Sequence, residues 1–394
     1  MTRRCIPYGR QSIDDEDIAA VTRVLRGDWL TQGPAVPAFE AALGARFGAS
    51  HAVAVNSATS ALHLACLALG VGPGDRVWTT PITFVASANC ASYCGASVDF
   101  VDIDPITYNM SPTALEQQLA QAAAQGCLPK VIIPVHLAGQ PCEMAAISAL
   151  ARRHGIKIIE DASHAVGAEY LGEPVGNCRY SDITVLSFHP VKIITTCEGG
   201  AALTQDLGLA QQMALLRSHG ITREPAEMDE PSHGPWYYQQ LALGLNYRLS
   251  DLHAALGLSQ MRRLDAFVER RRALAARYDR LLEGLPVIRP WQHPEGHSSW
   301  HLYIVRLPET PGNASRSEVF SQLRENGIGV NLHYIPVHMQ PYHRERRGSS
   351  APALPESERY YAEAMSLPLY PDLTDDDQDW IVACLQQALA GVTP

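Results

Sequence analysis

Lys130-Val131-Ile132-Ile133-Pro134-Val135 is a short β-branched run; a turn and the apolar-periodic stretch Glu143–His154 follow, and then a second run, Ile156-Lys157-Ile158-Ile159-Glu160. Extended, helical, extended: the same order continues on both sides of this stretch. Upstream stand the runs His51–Val55, Arg76–Thr80 and Ser97–Ile103, separated by Ser57–Leu69, Phe84–Tyr93 and Pro112–Gln125, each long and periodic enough for a helix. Downstream come Ile183–Phe188, a turn over Ile194–Gly200, and a closing run, Ala201–Thr204. Alternation of this kind predicts an α/β fold with a mostly parallel sheet between helices. Ligands of such sheets bind beyond the carboxyl ends of the strands, so the residues that end each run are the first candidates for a site.

After Ser250 the texture changes. Asp251–Leu282 reads as one long helix or two joined helices, and a smaller α+β unit follows: a strand at His301–Arg306, a helix at Ser317–Asn326, a loop at Val330–His343 and a last helix at Asp375–Ala390. Glu224–Pro235, rich in proline and acidic residues, reads as an exposed loop. The expected organisation is a large α/β domain over residues 1–250 and a linking helix with a small α+β domain over residues 251–394.

A chain of 394 residues with 46% hydrophobic and 18% charged side chains can bury a sizeable core, which excludes disorder as its dominant state. A formal charge of −10 offers nothing for broad binding to nucleic acid or an anionic membrane. Nine cysteines without CxxC spacing suit reduced thiols better than a disulfide framework. Residues 1–9 lack an apolar signal core, and Asn56, Ser57, Thr59, Ser60 and His63 interrupt the apolar stretch from Ala52 to Gly72. A soluble cytoplasmic protein is the expectation.

Only three of the 31 basic residues are lysines. Lys130 and Lys157 belong to strand runs, where a surface-facing lysine is the plain reading. Lys192 falls on the turn after Ile183–Phe188, between Pro190 and the pair Gly199-Gly200. A lysine in an apolar setting has a depressed pKa and serves as an amine nucleophile, although a snorkelling lysine is the commoner case. Glu160 and Asp161 end a buried-looking strand, and a strand-end Asp by default caps a turn. In Asn56-Ser57-Ala58-Thr59-Ser60 a strand gives way to a helix, whose N–H groups suit a phosphate or need only an ordinary cap. Each signal is weak alone. Together they are the three contributions that pyridoxal 5'-phosphate requires: an amine to link its aldehyde, a carboxylate for its ring nitrogen, and a helix start for its phosphate.

The chain also resembles a known family, the DegT/DnrJ/StrS sugar aminotransferases of fold type I. The stretches that carry the likeness are Gly27-Asp28-Trp29-Leu30-Thr31-Gln32-Gly33-Pro34, Asn56–Leu62, Thr80-Pro81-Ile82-Thr83-Phe84, Pro134–Gln140, Glu160-Asp161-Ala162-Ser163-His164-Ala165, the Lys192 segment and Asn246-Tyr247-Arg248-Leu249-Ser250-Asp251. Tyr180–Thr184 and His333–Tyr342 are most similar to members of the pseudaminic-acid pathway, which aminate C4 of a UDP-linked 4-keto-6-deoxy-N-acetylhexosamine. The resemblance implies a large domain with a mixed, mostly parallel sheet and a smaller α+β domain. It implies that Lys192 links pyridoxal phosphate, Asp161 pairs with its ring nitrogen, His164 lies near its phenolic oxygen and Phe84 stacks on its ring. Ala58, Thr59 and Ser187 would hold the phosphate, with Asn246 reaching it from a second subunit of a homodimer. Thr31, His189, Arg248, His333, Tyr334 and His338 are implied on the sugar side, and L-glutamate as the amino donor. Other keto nucleotide sugars (UDP-4-keto-arabinose, or a dTDP-linked 3- or 4-keto-6-deoxy sugar) are the nearer alternatives; a non-catalytic binding protein of the same fold is the more distant one. Cys197 stands where the family has glycine, so the turn after Lys192 is expected to be altered or the substrate crowded. His333, His338 and His343, five apart in a loop with two prolines, do not share a helical face, and no metal site is expected.

Overall fold

The structure is a computed structural model that describes residues 5–309, 314–347 and 353–391; residues 1–4, part of the N-terminal segment read above, lie outside the described residues. Seven strands form the central sheet: β1 (His51–Val55), β2 (Arg76–Thr79), β3 (Ser97–Phe100), β4 (Val131–Ile133), β5 (Lys157–Asp161), β6 (Ile183–Ser187) and β7 (Gly200–Thr204), in the spatial order β1-β7-β6-β5-β4-β2-β3. The run from β6 through β5, β4 and β2 to β3 is parallel. The closing strand β7 runs against both its neighbours, β1 and β6. The connection between β6 and β7 closes on itself, with Phe188 N–H donating to Gly199 O and Thr196 N–H to Phe188 O, and so reverses the chain beside β6. The interior strands are buried on both faces, and their near-continuous Val/Ile/Leu/Ala content reflects that.

The helices begin and end where local chemistry dictates. α1 (Asp15–Leu25) opens with a capping box between Asp14 and Asp17, and α2 (Ala35–Phe47) stops at Gly48 in left-handed conformation. α3 (Ala58–Ala68) is capped by Ser57, whose hydroxyl accepts from the Ser60 N–H. α4 (Ala86–Tyr93) packs beside α3, while α5 (Pro112–Gln125), with Ser111 as cap and Pro112 in its first turn, packs beside α6 (Met144–Arg153). α7 (Leu207–Leu216) completes the cover on the α3 side. Glu224–Pro235 lies largely exposed, as the sequence predicts.

The expected long helix is two: α8 (Asp251–Met261) and α9 (Leu264–Leu281), broken at Arg262-Arg263. α8 packs on α1 and α2, and Leu264, Phe267 and Val268 share a core with Phe39, Phe47 and Phe188. From Leu274 onward α9 joins another core, built on the antiparallel pair β8 (Tyr303–Arg306) and β9 (Ala364–Leu367) and on α10 (Arg316–Glu325) and α11 (Asp375–Leu389). The change of packing partner falls within α9, and Ile6 from the N-terminal segment joins the second core.

Between those two parts of α9 sits Arg271, whose side chain is fully buried. Its Nη1 donates to the carbonyl oxygens of Trp300 (3.2 Å), His301 (3.2 Å) and Leu369 (2.9 Å), so one guanidinium ties the start of β8 and the chain after β9 to the helix. Burial pulls its pKa down to about 9, which still leaves it cationic at neutral pH. Arg271→Ala deprives three carbonyls of their donor and leaves a void; we expect a loss of about 3 kcal/mol or more, read as a lowered denaturation midpoint in urea.

Candidate active site

A cavity of about 550 Å³ opens beyond the carboxyl ends of β5 and β6. Because these strands are parallel neighbours, with Asp161 in register with Val185, the residues that follow them emerge side by side. Asp161 ends β5 and faces the cavity; Glu160, one residue earlier, turns to the other face, as strand alternation requires. There Glu160 accepts from Ser181 Oγ (2.5 Å) and from His136 Nε2 (2.9 Å), whose Nδ1 accepts the Cys142 backbone N–H. Asp161 is buried and oriented by two donors, Ser87 Oγ at 2.6 Å and the Ser163 backbone N–H at 3.1 Å.

Lys192 lies on the turn between β6 and β7. The turn is fixed by its own hydrogen bonds: Lys192 N–H to His189 O, Thr196 N–H to Phe188 O, and Phe188 N–H to Gly199 O. Burial of the amine is the larger influence on it, and the Asp161 carboxylate opposes that influence only in part; the pKa falls to about 8. Of the four imidazoles on the cavity wall, burial holds three uncharged: His333 is pushed down to about 3, and His164 and His301 lie well below the ordinary range, with Lys192 adding to the effect.

The N-terminus of α3 forms the opposite wall. Ser57 Oγ takes the Ser60 N–H and Ser57 O takes the Ala61 N–H, which leaves the N–H groups of Ala58 and Thr59 directed out of the helix, toward the cavity they line. The helix can stand this near the Lys192 turn because residue 200 is glycine: a Cβ there would fall 2.6 Å from the Ser57 carbonyl carbon. Ser187, at the end of β6, lies on the same wall.

The cavity thus brings together Ala58, Thr59, Phe84, Asp161, His164, Ser187, His189, Lys192, His333 and Tyr334. It does not include Thr31, Asn246, Arg248 or His338. Thr31 and Asn246 are exposed elsewhere on the protomer, and Arg248 Nη1 donates to Ser218 Oγ at 3.2 Å. His338 is buried under the loop, its ring 6.2 Å from that of Phe100, which removes it from any sugar entering this cavity. Lys130 and Lys157 form ion pairs with Asp75 and Asp182 at 2.9 and 2.8 Å. Sequence reasoning missed Tyr8, Ser87, Glu198 and His301. Ser87 was detectable as the one hydroxyl among the otherwise Ala/Cys buried residues of α4, and Glu198 by its place on the Lys192 turn; Tyr8 and His301 come from distant segments and carried no local signal.

Cys197 does not line the cavity. It is exposed and adopts φ = +67°, a left-handed conformation that glycine enters without cost. The turn keeps its shape with a side chain present, and the strain is local.

These residues fit pyridoxal phosphate on structural grounds: two orphan helix N–H groups and a hydroxyl for the phosphate, a buried oriented carboxylate for a cationic ring nitrogen, an exposed Phe84 ring on the wall, and an amine of lowered pKa within the field of that carboxylate. The chain matches the DegT/DnrJ/EryC1/StrS aminotransferase family over residues 11–386. It is 40% identical over 388 residues to the spore coat polysaccharide biosynthesis protein SpsC of Bacillus subtilis, covering 98% of this chain and 97% of SpsC. It superposes on Helicobacter pylori PseC, an aminotransferase involved in the biosynthesis of pseudoaminic acid, with a TM-score of 0.88 at 30% identity over 98% of this chain and 100% of that one. For the PLP form of Spr1654 from Streptococcus pneumoniae the TM-score is 0.87 at 28% identity, over 99% and 100% of the two chains.

Two outcomes follow from this geometry. Reductive trapping of pyridoxal phosphate by the apoprotein should speed up as pH rises toward about 8, where Lys192 loses its proton, and level off above it; an unperturbed lysine would keep gaining toward about 10.4. Cys197→Gly should relieve the left-handed strain and raise stability by about 0.5–1 kcal/mol, measured as a higher thermal midpoint.

Proposed function

The chain belongs to the DegT/DnrJ/EryC1/StrS family of pyridoxal-phosphate-dependent sugar aminotransferases, and we propose that it moves the amino group of L-glutamate to C4 of a UDP-linked 4-keto-6-deoxy-N-acetylhexosamine, in a pathway of the pseudaminic-acid type. The observation that carries the reading is the meeting of Lys192 and Asp161 in one cavity whose mainly apolar wall carries a few hydrogen-bonding groups: His189, His333, Tyr334 and Asn331 offer hydrogen bonds suited to sugar hydroxyls, and Lys192 is the sole lysine or arginine among the lining residues. The similarity to PseC supports the choice of sugar.

When bound, the cofactor supplies an aldehyde carbon for the lysine and an electron-withdrawing ring that acidifies the carbon bearing the transferred nitrogen. The rest is work for the chain's own groups. Ala58 and Thr59 N–H and Ser187 Oγ hold the phosphate; Asp161, kept in place by Ser87 and Ser163, holds a proton on the ring nitrogen; Phe84 shields one ring face from water. Lys192 Nζ, free of its proton above about pH 8, takes the proton from the donor's α-carbon and later returns one to the sugar carbon that receives nitrogen.

A homodimer completes the proposal. Asn246 and Arg248 would serve the partner's cavity, and the exposed Trp29, Leu30, Tyr93, Trp236 and Leu243 supply apolar surface for the contact. Arg248 from a second copy would also supply the cation for glutamate's carboxylates that the lining residues of one protomer lack. Residues 1–250 would carry the cofactor and 251–394 close over the sugar, in the cytoplasm where nucleotide sugars are made. Among the described residues no helix is long and apolar enough to cross a membrane.

The 40% identity to SpsC favours a second reading, amination of a different keto nucleotide sugar such as UDP-4-keto-arabinose or a dTDP-linked 3- or 4-keto-6-deoxy sugar. Absorption spectroscopy separates them. Glutamate should convert the band of the lysine-linked cofactor into that of its amine form, and the UDP-linked 4-keto-N-acetylhexosamine should restore the first band. Faster restoration by an arabinose or dTDP-linked keto sugar would transfer the assignment to the second reading; a band indifferent to glutamate would overturn the donor.

A further inference from the structure

The backbone N–H of Ala138 donates to His164 Nδ1 at 3.2 Å. A backbone amide has a hydrogen and no free lone pair in that direction, so Nδ1 must accept. Burial, with Lys192 and His333 nearby, holds the ring uncharged, and its single N–H is therefore on Nε2. Nε2 lies 2.9 Å from Tyr334 Oη. The imidazole donates and the phenol accepts, which leaves the phenol's own hydrogen unused by His164. Among the described residues no second hydrogen-bond partner is placed at Oη, and Tyr334 lines the cavity. Burial beside Asp161 and Tyr8 raises the phenol's pKa far above neutrality, so the hydrogen stays.

The geometry behind this pair is fixed. Ser299 Oγ donates to His164 O at 3.0 Å, and the His164 ring lies 4.4 Å from that of His301. The groups facing Tyr334 are Asp161 from the end of β5, Lys192 from the turn after β6, His333 beside it in the chain, Phe84 before α4, and Tyr8 from the N-terminal segment.

We propose that Tyr334, rather than His164, supplies the hydrogen bond to the phenolic oxygen of bound pyridoxal phosphate, and that His164 is a positioning residue that fixes the direction of the phenol's hydrogen. The proposal rests on the cavity's being the cofactor site, and it reassigns the contact that family resemblance gives to His164. The single N–H of His164 is already committed to Tyr334, so it has none left for the cofactor.

The test is a pH titration of the absorption spectrum of the cofactor-loaded protein. The lysine-linked nitrogen and the phenolic oxygen share a proton; once it is lost, the oxygen carries more negative charge, and a donor to that oxygen favours the loss. Tyr334→Phe should therefore raise the pH midpoint of the spectral change by about one pH unit, as befits one hydrogen bond to a charged acceptor. His164→Ala, which frees the phenol to turn, should raise it less. His164→Gln should restore it, since the amide carbonyl can accept from Ala138 N–H while the amide nitrogen donates to Oη. An unchanged midpoint in Tyr334→Phe, or a larger shift in His164→Ala than in Tyr334→Phe, would overturn the proposal. A wild-type protein that develops no visible band with pyridoxal phosphate would overturn the cofactor site itself, and this proposal with it.

Discussion

At residue 200 the structure has room for a hydrogen and nothing larger, and the site depends on that restriction. β7 must insert antiparallel between β1 and β6, bring its first residue against the start of α3, and still leave the Lys192 turn on the far side of the helix N-terminus. A side chain at 200 would force β7 and α3 apart and separate the amine from the N–H groups of Ala58 and Thr59. The central elements serve this one approach: the Ser57 cap ends the strand-to-helix transition promptly, and the hydrogen-bonded turn after β6 leads the chain back into β7.

Two opposed influences then set the chemistry of the amine. Asp161 is near enough to favour the ammonium form, but removal from water wins, and the amine is poised near neutrality. The same exclusion of water keeps three of the surrounding imidazoles neutral, so the wall carries a few hydrogen-bonding groups and little charge. A cavity of this character discriminates by the direction of its few donors and acceptors more than by charge.

Most of the frame could be read directly from the chain. The β-branched runs His51–Val55, Ile156–Glu160 and Ile183–Phe188 became strands within a residue or so, and the last two are parallel strands with nearly every residue buried, where composition has little freedom. Lys192 and Asp161 were also legible as candidates, since each stands at or just past the carboxyl end of a strand run, where ligands of such sheets bind. What could not be read was tertiary. His301 and Tyr8 reach the cavity from segments far away in the chain, and no periodicity announces where a loop will arrive. His338 looked like a partner of His333 in the same loop, but the loop turns at Pro336 and carries it toward Phe100. Asn246 and Arg248 sit apart from their own protomer's cavity, and a single chain carries no record of what a second copy would bring.

The scarcity of lysine has a consequence for how the cofactor partitions within the molecule. Of 31 basic side chains, 31 − 3 = 28 are arginines, whose guanidinium groups stay protonated and do not condense with aldehydes as free amines do. The two other lysines are held in ion pairs with Asp75 and Asp182. A free aldehyde meeting this surface finds its cations already occupied or inert. The chain in effect directs a promiscuous electrophile by withholding competing nucleophiles, so that the amine of the cavity is favoured by kinetics as well as by fit.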